Sequence, residues 1–317
     1  MRRLIAFFLL LSLLAVPASG ESDYIRWVDF DISSGAMAAA VRLGQQAMER
    51  EENRSWLDYL ALAAVRTGGH VTEKAVRAAG KELSPGVSPK ELLGQQYKYY
   101  AYYLESYTAA LGGLVGAYAI EKTDENGEKY WEPHYGVKAF SPIAAGYWYS
   151  HYDDFGVSRS YGFRRRHLGN DLMGSLGTPI VAVEGGTVEA MGWNQYGGWR
   201  VGIRSFDRKR YYYYAHLRKD TPFAPGLSEG DTVQAGDLIG FMGRTGYSAK
   251  ENVNNIDAVH LHFGLQLIFD ESQKECNSEI WIDVYDIINL LEGHRSSLVC
   301  ENGQWKRLYP YRDLDAG

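Results

Sequence analysis

The run VHLHFGLQLIF, residues 259–269, constrains the fold more than any other stretch of the chain. As an extended strand it places Val259, Leu261, Phe263, Leu265 and Leu267 on one side, and His260, His262, Gly264 and Gln266 on the other. One face must cover a core while the other presents two neighbouring imidazoles. The strand closes a region, from about Val137 to Phe269, in which short apolar or alternating runs are broken by glycine: PIVAVEGGTVEAMGW, RVGIRSF, RYYYYAHL and DLIGFMG. Strands at that spacing with glycine turns predict an antiparallel sandwich or barrel-like sheet.

The preceding stretch, residues 33–118, has a helical period. Ser88-Pro89-Lys90-Glu91 reads as a capping box with proline at the first helical position, opening a single long helix through KYYAYYLESYTAALGGL. Tyr100, Tyr103 and Tyr107 recur along it at helical spacing, as a packing face whose hydroxyls reach solvent. Asn126-Gly127 marks a hairpin turn at the boundary. Beyond Asp270, IWIDVYDIINLLEG reads as one helix. The expected class is therefore α+β: a helical region at 21–130, a mainly antiparallel β-sheet domain at 131–270, and a short helical extension at 271–317.

Residues 1–20 carry Arg2 and Arg3, then a 13-residue apolar run at 4–16, then Ala18, Ser19 and Gly20. That is the pattern of a cleaved secretory signal peptide, with an uncleaved anchor as the alternative; ~18 or more apolar residues are needed to span a bilayer. No other stretch approaches that length, so the expectation is a secreted, extracytoplasmic protein. In such a compartment Cys276 and Cys300 could close a loop. The net charge of −6 gives no bulk attraction to nucleic acid or to an anionic surface.

Four of the eight histidines fall into a constellation. His167 and Asp171 stand four residues apart around Gly169, which argues for a turn that lets the two side chains converge. His260 and His262 share the polar face of their strand. His216 ends the run YYYYAHL, where it shares a face with Tyr212 and Tyr214. Two imidazoles and a carboxylate suit Zn²⁺, leaving a fourth position for water, as in catalytic sites. Zinc brings the pKa of bound water from 15.7 to about 7, and two further histidines could move protons or stabilise an oxyanion. His70, His134, His151 and His294 have no such partners and read as surface or packing residues.

In this order and context the residues resemble the LytM/lysostaphin-type zinc metallopeptidases, which cleave peptides of the bacterial cell wall. HLGND is similar to the family's H-x-G-x-D element and GTPIVAVEGGTVEAMGW to the hairpin that follows. YYYYAHL is similar to the element ending in a catalytic histidine, EGDTVQAGDLIGFMGRTGYS to the glycine-rich run, and HLHFGLQ to H-x-H. The resemblance spans residues 161–269. It implies one zinc ion per chain on His167, Asp171 and His262, with His216 and His260 as catalytic histidines, general base and oxyanion stabiliser in an order left open. It further implies a peptidoglycan endopeptidase acting on wall peptides. The N-terminal helices, which have no counterpart in the family's minimal catalytic domain, could cover the cleft or dock a regulatory partner. Two positions depart from the pattern: Asn170 replaces an aliphatic residue, and residues 249–259 lengthen the loop before H-x-H.

Two other readings compete. The run EGDTVQAGDLIG also resembles lipoyl and biotinyl carrier domains, which need a lysine at an exposed tight turn, and VEGGTVEAM has none. A non-catalytic wall-binding or scaffold relative is the second, against which stands the presence of all five site residues. Among the 24 tyrosines, Tyr212 and Tyr214, with Tyr147, Tyr149, Tyr152 and Tyr161, are expected to form a substrate wall.

Overall fold

The computed structural model describes residues 24–160, 164–274 and 278–315. The expected signal peptide, Tyr161 and Cys276 lie outside them, as does any pairing of Cys276 with Cys300. Among the described residues no helix is long and apolar enough to cross a membrane.

The helical part is built around Trp56–Thr67, which buries Trp56, Leu57, Tyr59 and the run Leu60–Ala64. A helix apolar on nearly every side must be surrounded, and Ser34–Glu49, Glu73–Glu82 and Tyr97–Leu111 surround it. Local chemistry sets their starts. Ser33 and Thr72 accept from the backbone N–H of Ala36 and Ala75, and the Ser55 N–H donates to Asp58 at 2.7 Å.

The expected long helix is instead two. Pro89–Leu93 ends at Gly94, whose φ of 53° lies in the left-handed region, and Tyr97–Leu111 restarts after a single 3₁₀ turn. Proline does occupy the first helical position, but the Ser88 side chain makes no cap. Nor do the hydroxyls of Tyr100 and Tyr107 reach water as expected. Tyr100 and Tyr107 are buried, with the Tyr100 hydroxyl donating to Asp58. Once helices cover the stripe on both sides, the rings pack on each other and on Phe30 rather than standing at a wet edge.

The Asn126-Gly127 turn joins Val115–Thr123 to Lys129–Val137, and Tyr311–Asp313 adds a third strand. Beyond it lies an eight-stranded antiparallel sheet. Its order is Thr232–Val233, Gly186–Asn194, Gly198–Ser205, Arg210–Ala215, His260–Leu267, Asn170–Gly174, Tyr149–Ser150, with Ile280–Ile282 also pairing the His260–Leu267 strand. Val188, Val201, Ile203, Leu261, Phe263 and Leu265 cover the core from one face.

The stretch IWIDVYDIINLLEG therefore differs from the single expected helix. Its alternating Ile280-Trp281-Ile282 joins the sheet, and only Tyr285–Leu291 is helical, its start fixed by Asp283, which accepts from the Tyr285 N–H at 2.8 Å.

A buried ion pair joins the two parts. Arg210 donates to both carboxylate oxygens of Glu184, at 2.7 and 3.0 Å, and to the carbonyls of Thr108 and Ala109 at the end of Tyr97–Leu111. Arg210 thus caps a helix from the first residue of a central strand.

Candidate active site and metal centre

Strand register brings the site together. Asp171 pairs His262 directly across adjacent strands, and His262 pairs Ala215, the residue before His216. His167 enters from the turn ahead of Asn170–Gly174. Its Nε2 lies 2.9 Å from Asp171 Oδ1 and 2.8 Å from His262 Nδ1, which itself lies 3.1 Å from the same Oδ1. Among the described residues these three form the cluster able to hold a metal ion, one donor atom each.

The donor set fits zinc on an independent observation. The Nδ1 of His167 donates to the backbone carbonyl of Asp154 at 3.0 Å, with the Asp154 carboxylate 3.2 Å away. A carbonyl can only accept, so Nδ1 carries a proton and Nε2 is the nitrogen aimed at the cluster, the one that would give a lone pair to a metal once its own proton is displaced. Asp171 divides its oxygens in the same sense. Oδ1 faces the cluster, while Oδ2 accepts from Arg159 Nη2 at 3.0 Å, and that same Nη2 donates to Asp154 at 2.7 Å. Burial alone would raise the Asp171 pKa, but bonds to His167 and His262 with neighbouring imidazole charge hold it far below the carboxylate range. For His167, burial opposes charge, yet bonds to Asp154 and Asp171 raise its pKa to about 9 in the metal-free arrangement.

His260 and His216 complete the constellation. The His260 Nδ1 donates to the Ala258 carbonyl at 3.0 Å and the His216 Nδ1 to that of Thr245 at 2.9 Å. By the same logic both turn an Nε2 lone pair to the cleft, their ring centroids 4.8 Å apart. His260 Nε2 is 3.8 Å from Asp171 Oδ1. His216 is buried, and desolvation with the nearby imidazoles holds its pKa well below the usual value, so it stays neutral.

His216 reaches this position by a backbone turn rather than by strand alternation. Its φ is 62°, held by the His216 N–H donating to Gly197 O at 2.7 Å. This corrects the face expected for YYYYAHL. Tyr212 and Tyr214 point into the core, their hydroxyls meeting Glu184 and the Val183 N–H, and it is Tyr211 and Tyr213 that line the cleft. In the other tyrosine group Tyr152 lines the cleft, whereas Tyr147 and Tyr149 pack against the core.

The cleft has a volume of about 1070 Å³ and holds all five expected residues. Asp154 and Arg159 were missed by sequence reasoning, because Asp154 lies in a loop and Arg159 on the three-residue strand Ser158–Ser160, too short to give a periodic signal. The Asn170 departure has a structural use: its amide donates to Asp154 Oδ1 at 2.8 Å and its carbonyl meets His151 Nδ1 at 2.7 Å. His151 therefore has a partner after all, one step behind Asp154. The lengthened loop at 249–259 is pinned, Asn252 accepting from Trp199 Nε1 at 2.9 Å and from the Asp220 N–H.

Residues 165–275 match the model of Peptidase family M23. A 117-residue stretch is 38% identical to the L-Ala–D-Glu endopeptidase of Bacillus subtilis, covering 37% of this chain and 34% of that one. Over 98 residues the chain is 37% identical to lysostaphin of Staphylococcus simulans, 31% of this chain and 17% of that one. The similarity thus spans about a third or less of these curated relatives. A crystal structure of a candidate glycyl-glycine endopeptidase lytM from Ruminococcus gnavus shares the fold, with a TM-score of 0.53 at 24% identity over 83% of this chain and 89% of that one.

Proposed function

We propose, from the membership of residues 165–275 in Peptidase family M23, of the LytM/lysostaphin type, that this chain is a secreted zinc-dependent endopeptidase hydrolysing peptide bonds of bacterial cell-wall peptidoglycan. The observation that carries the reading is the convergence of His167 Nε2, Asp171 Oδ1 and His262 Nδ1 beside two further imidazoles that offer lone pairs. When bound at the three donors, one Zn²⁺ supplies the Lewis acidity that activates water and polarises a carbonyl.

The chain's own residues do the rest. Asp154 and Arg159 hold His167 and Asp171 in orientation. His260 and His216 present two proton acceptors to one place. One takes a proton from the attacking water and passes it to the leaving amine, and the other orients the water or, once protonated, donates to the developing oxyanion. No side-chain nucleophile is needed. With a net charge of −6, the wall peptide is held by the shape and local charge of the cleft rather than by a basic surface.

The test is digestion of purified peptidoglycan by the zinc-loaded protein, with the released fragments identified by mass spectrometry. New amino termini at one defined bond are expected, absent after chelation and absent for His262→Ala. Wall hydrolysis undiminished in His262→Ala would refute the reading.

A further inference from the structure

Arg200 is a half-buried cation in the cleft to which none of the described residues gives a hydrogen bond or an ion pair. Its position follows from register. Val201 pairs Tyr214, and Tyr214 pairs Phe263, so one residue earlier Arg200 shares the cross-strand row of Ala215, His262 and Asp171. Residues in one such row project from the same face. Val201, Tyr214, Phe263 and Leu172 are buried on the core side, which leaves Arg200 and the metal-binding triad together on the cleft side. Two strand spacings separate Arg200 from His262, about 10 Å between backbones. The residue between them is Ala215, whose methyl leaves the floor open.

The acidic groups of the cleft are otherwise engaged. Glu189 pairs with Lys274 and with Arg204, Glu279 accepts from Trp281 Nε1 at 2.9 Å, and Asp171 belongs to the triad. Beside Arg200, the Tyr213 hydroxyl accepts from Asn194 Nδ2 at 3.1 Å, which leaves its own proton to donate. An arginine fork with no ion-pair partner among the described residues and a phenol O–H, facing the same cleft, make a receptor for a carboxylate.

Resting on the endopeptidase reading, we infer that Arg200 docks a free carboxylate on a substrate residue adjoining the scissile bond, so that the substrate is an acidic peptide. A glutamyl residue joined through one carboxyl keeps the other free, whereas a glycine bridge offers none. Of the two peptide chemistries named for the similar proteins, Arg200 suits the L-Ala–D-Glu bond and gives nothing to a glycyl-glycine bond.

The experiment measures kcat/KM of the full zinc-loaded chain on L-Ala–D-Glu–L-Lys, on the same peptide with its free glutamyl carboxylate amidated, and on pentaglycine. Calorimetric binding of the product D-Glu–L-Lys is followed alongside. The wild type prefers the acid peptide by about tenfold or more, a preference that shrinks with added salt. Arg200→Gln reduces that ratio to within about twofold and weakens product binding, and Arg200→Lys, with charge but no fork, falls between. Equal use of acid and amide peptides by the wild type, a ratio that survives Arg200→Gln, or a preference for pentaglycine overturns the inference and leaves the endopeptidase reading standing. Arg200-dependent product binding without any cleavage overturns that reading and leaves the carboxylate site in place.

Discussion

Asp154 holds His167 through two of its own atoms, a backbone carbonyl 3.0 Å from Nδ1 and a carboxylate oxygen 3.2 Å from it. The arrangement fixes both the tautomer and the rotation of the ring. Outer partners of this kind typically contribute 10–100-fold to metal affinity. Asp154→Ala should therefore bind zinc about 10–100-fold more weakly than the wild type in competition with a chromophoric chelator. Unchanged affinity in a folded variant would show that the backbone carbonyl alone suffices.

Arg159 reaches Asp154 and Asp171 with a single nitrogen, Nη2. A single bridging nitrogen does not use the guanidinium fork, so charge matters here more than planarity. Arg159→Gln should lose roughly tenfold in zinc affinity while Arg159→Lys keeps most of it. Equal losses in the two variants would point to a geometric role instead.

Gly169 was legible in the sequence as a turn glycine, but the structure gives it a steric duty. A Cβ at this position would lie 2.5 Å from the Phe263 carbonyl oxygen and 2.8 Å from the His262 ring. The first contact is with backbone, which cannot swing aside, so the turn or the imidazole must move. Gly169→Ala should lose stoichiometric zinc while keeping its far-ultraviolet circular dichroism, and full zinc content would count against a close approach.

What the sequence made readable was whatever a local period or a short spacing encodes. The two-residue alternation of Val259–Phe269 gave both the core face and the paired histidines, and H-x-x-x-D gave two donors from one turn. The hairpin at Asn126-Gly127 was equally legible because its turn chemistry is local. Three things were not. His216 leaves its strand through a left-handed residue, which alternation counting does not foresee, and this one kink moved the tyrosine wall from Tyr212 and Tyr214 to Tyr211 and Tyr213. Asp154 acts from a loop and Arg159 from a three-residue strand, where only tertiary folding sets distance. Arg200 acquires its meaning from the register of its own hairpin, Gly198–Ser205 with Arg210–Ala215, against the sequence-distant strand His260–Leu267.

The Arg210–Glu184 pair lies under the helical part, with Arg210 only 2% exposed and its Nη1 bonded to the Ala109 carbonyl at 2.7 Å. Removing one partner would leave a buried carboxylate, and the Tyr212 hydroxyl that donates to it, beside two uncapped carbonyls. Breaking a buried pair in this way costs about 3–5 kcal/mol, while apolar replacement of both partners is often close to neutral. In urea denaturation Arg210→Ala should lose about 3–5 kcal/mol, and Arg210→Met combined with Glu184→Leu should recover part of it, the two carbonyls and the Tyr212 hydroxyl staying unpartnered. A loss under about 1 kcal/mol for the single variant would mean that water reaches the pair.

Asp283 supplies a pH dependence whose sign is opposite to that of a salt-bridged carboxylate. Burial, together with the neighbouring carboxylates of Asp153 and Asp286, pushes its pKa up to about 6. In the unfolded chain an aspartate titrates near 3.9, so between roughly pH 4 and pH 6 the folded state holds the extra proton. The contribution of this group to stability is complete below about pH 4 and is lost as pH rises through the folded pKa. Asp283→Asn keeps an oxygen to accept from the Tyr285 N–H and removes the charge. Its Tm should therefore exceed that of the wild type at pH 7.5, and the difference should shrink toward zero at pH 4.5. Comparing the two proteins at each pH cancels the acid release of metal, which affects both alike. A difference of the same size at both pH values would remove Asp283 as the source.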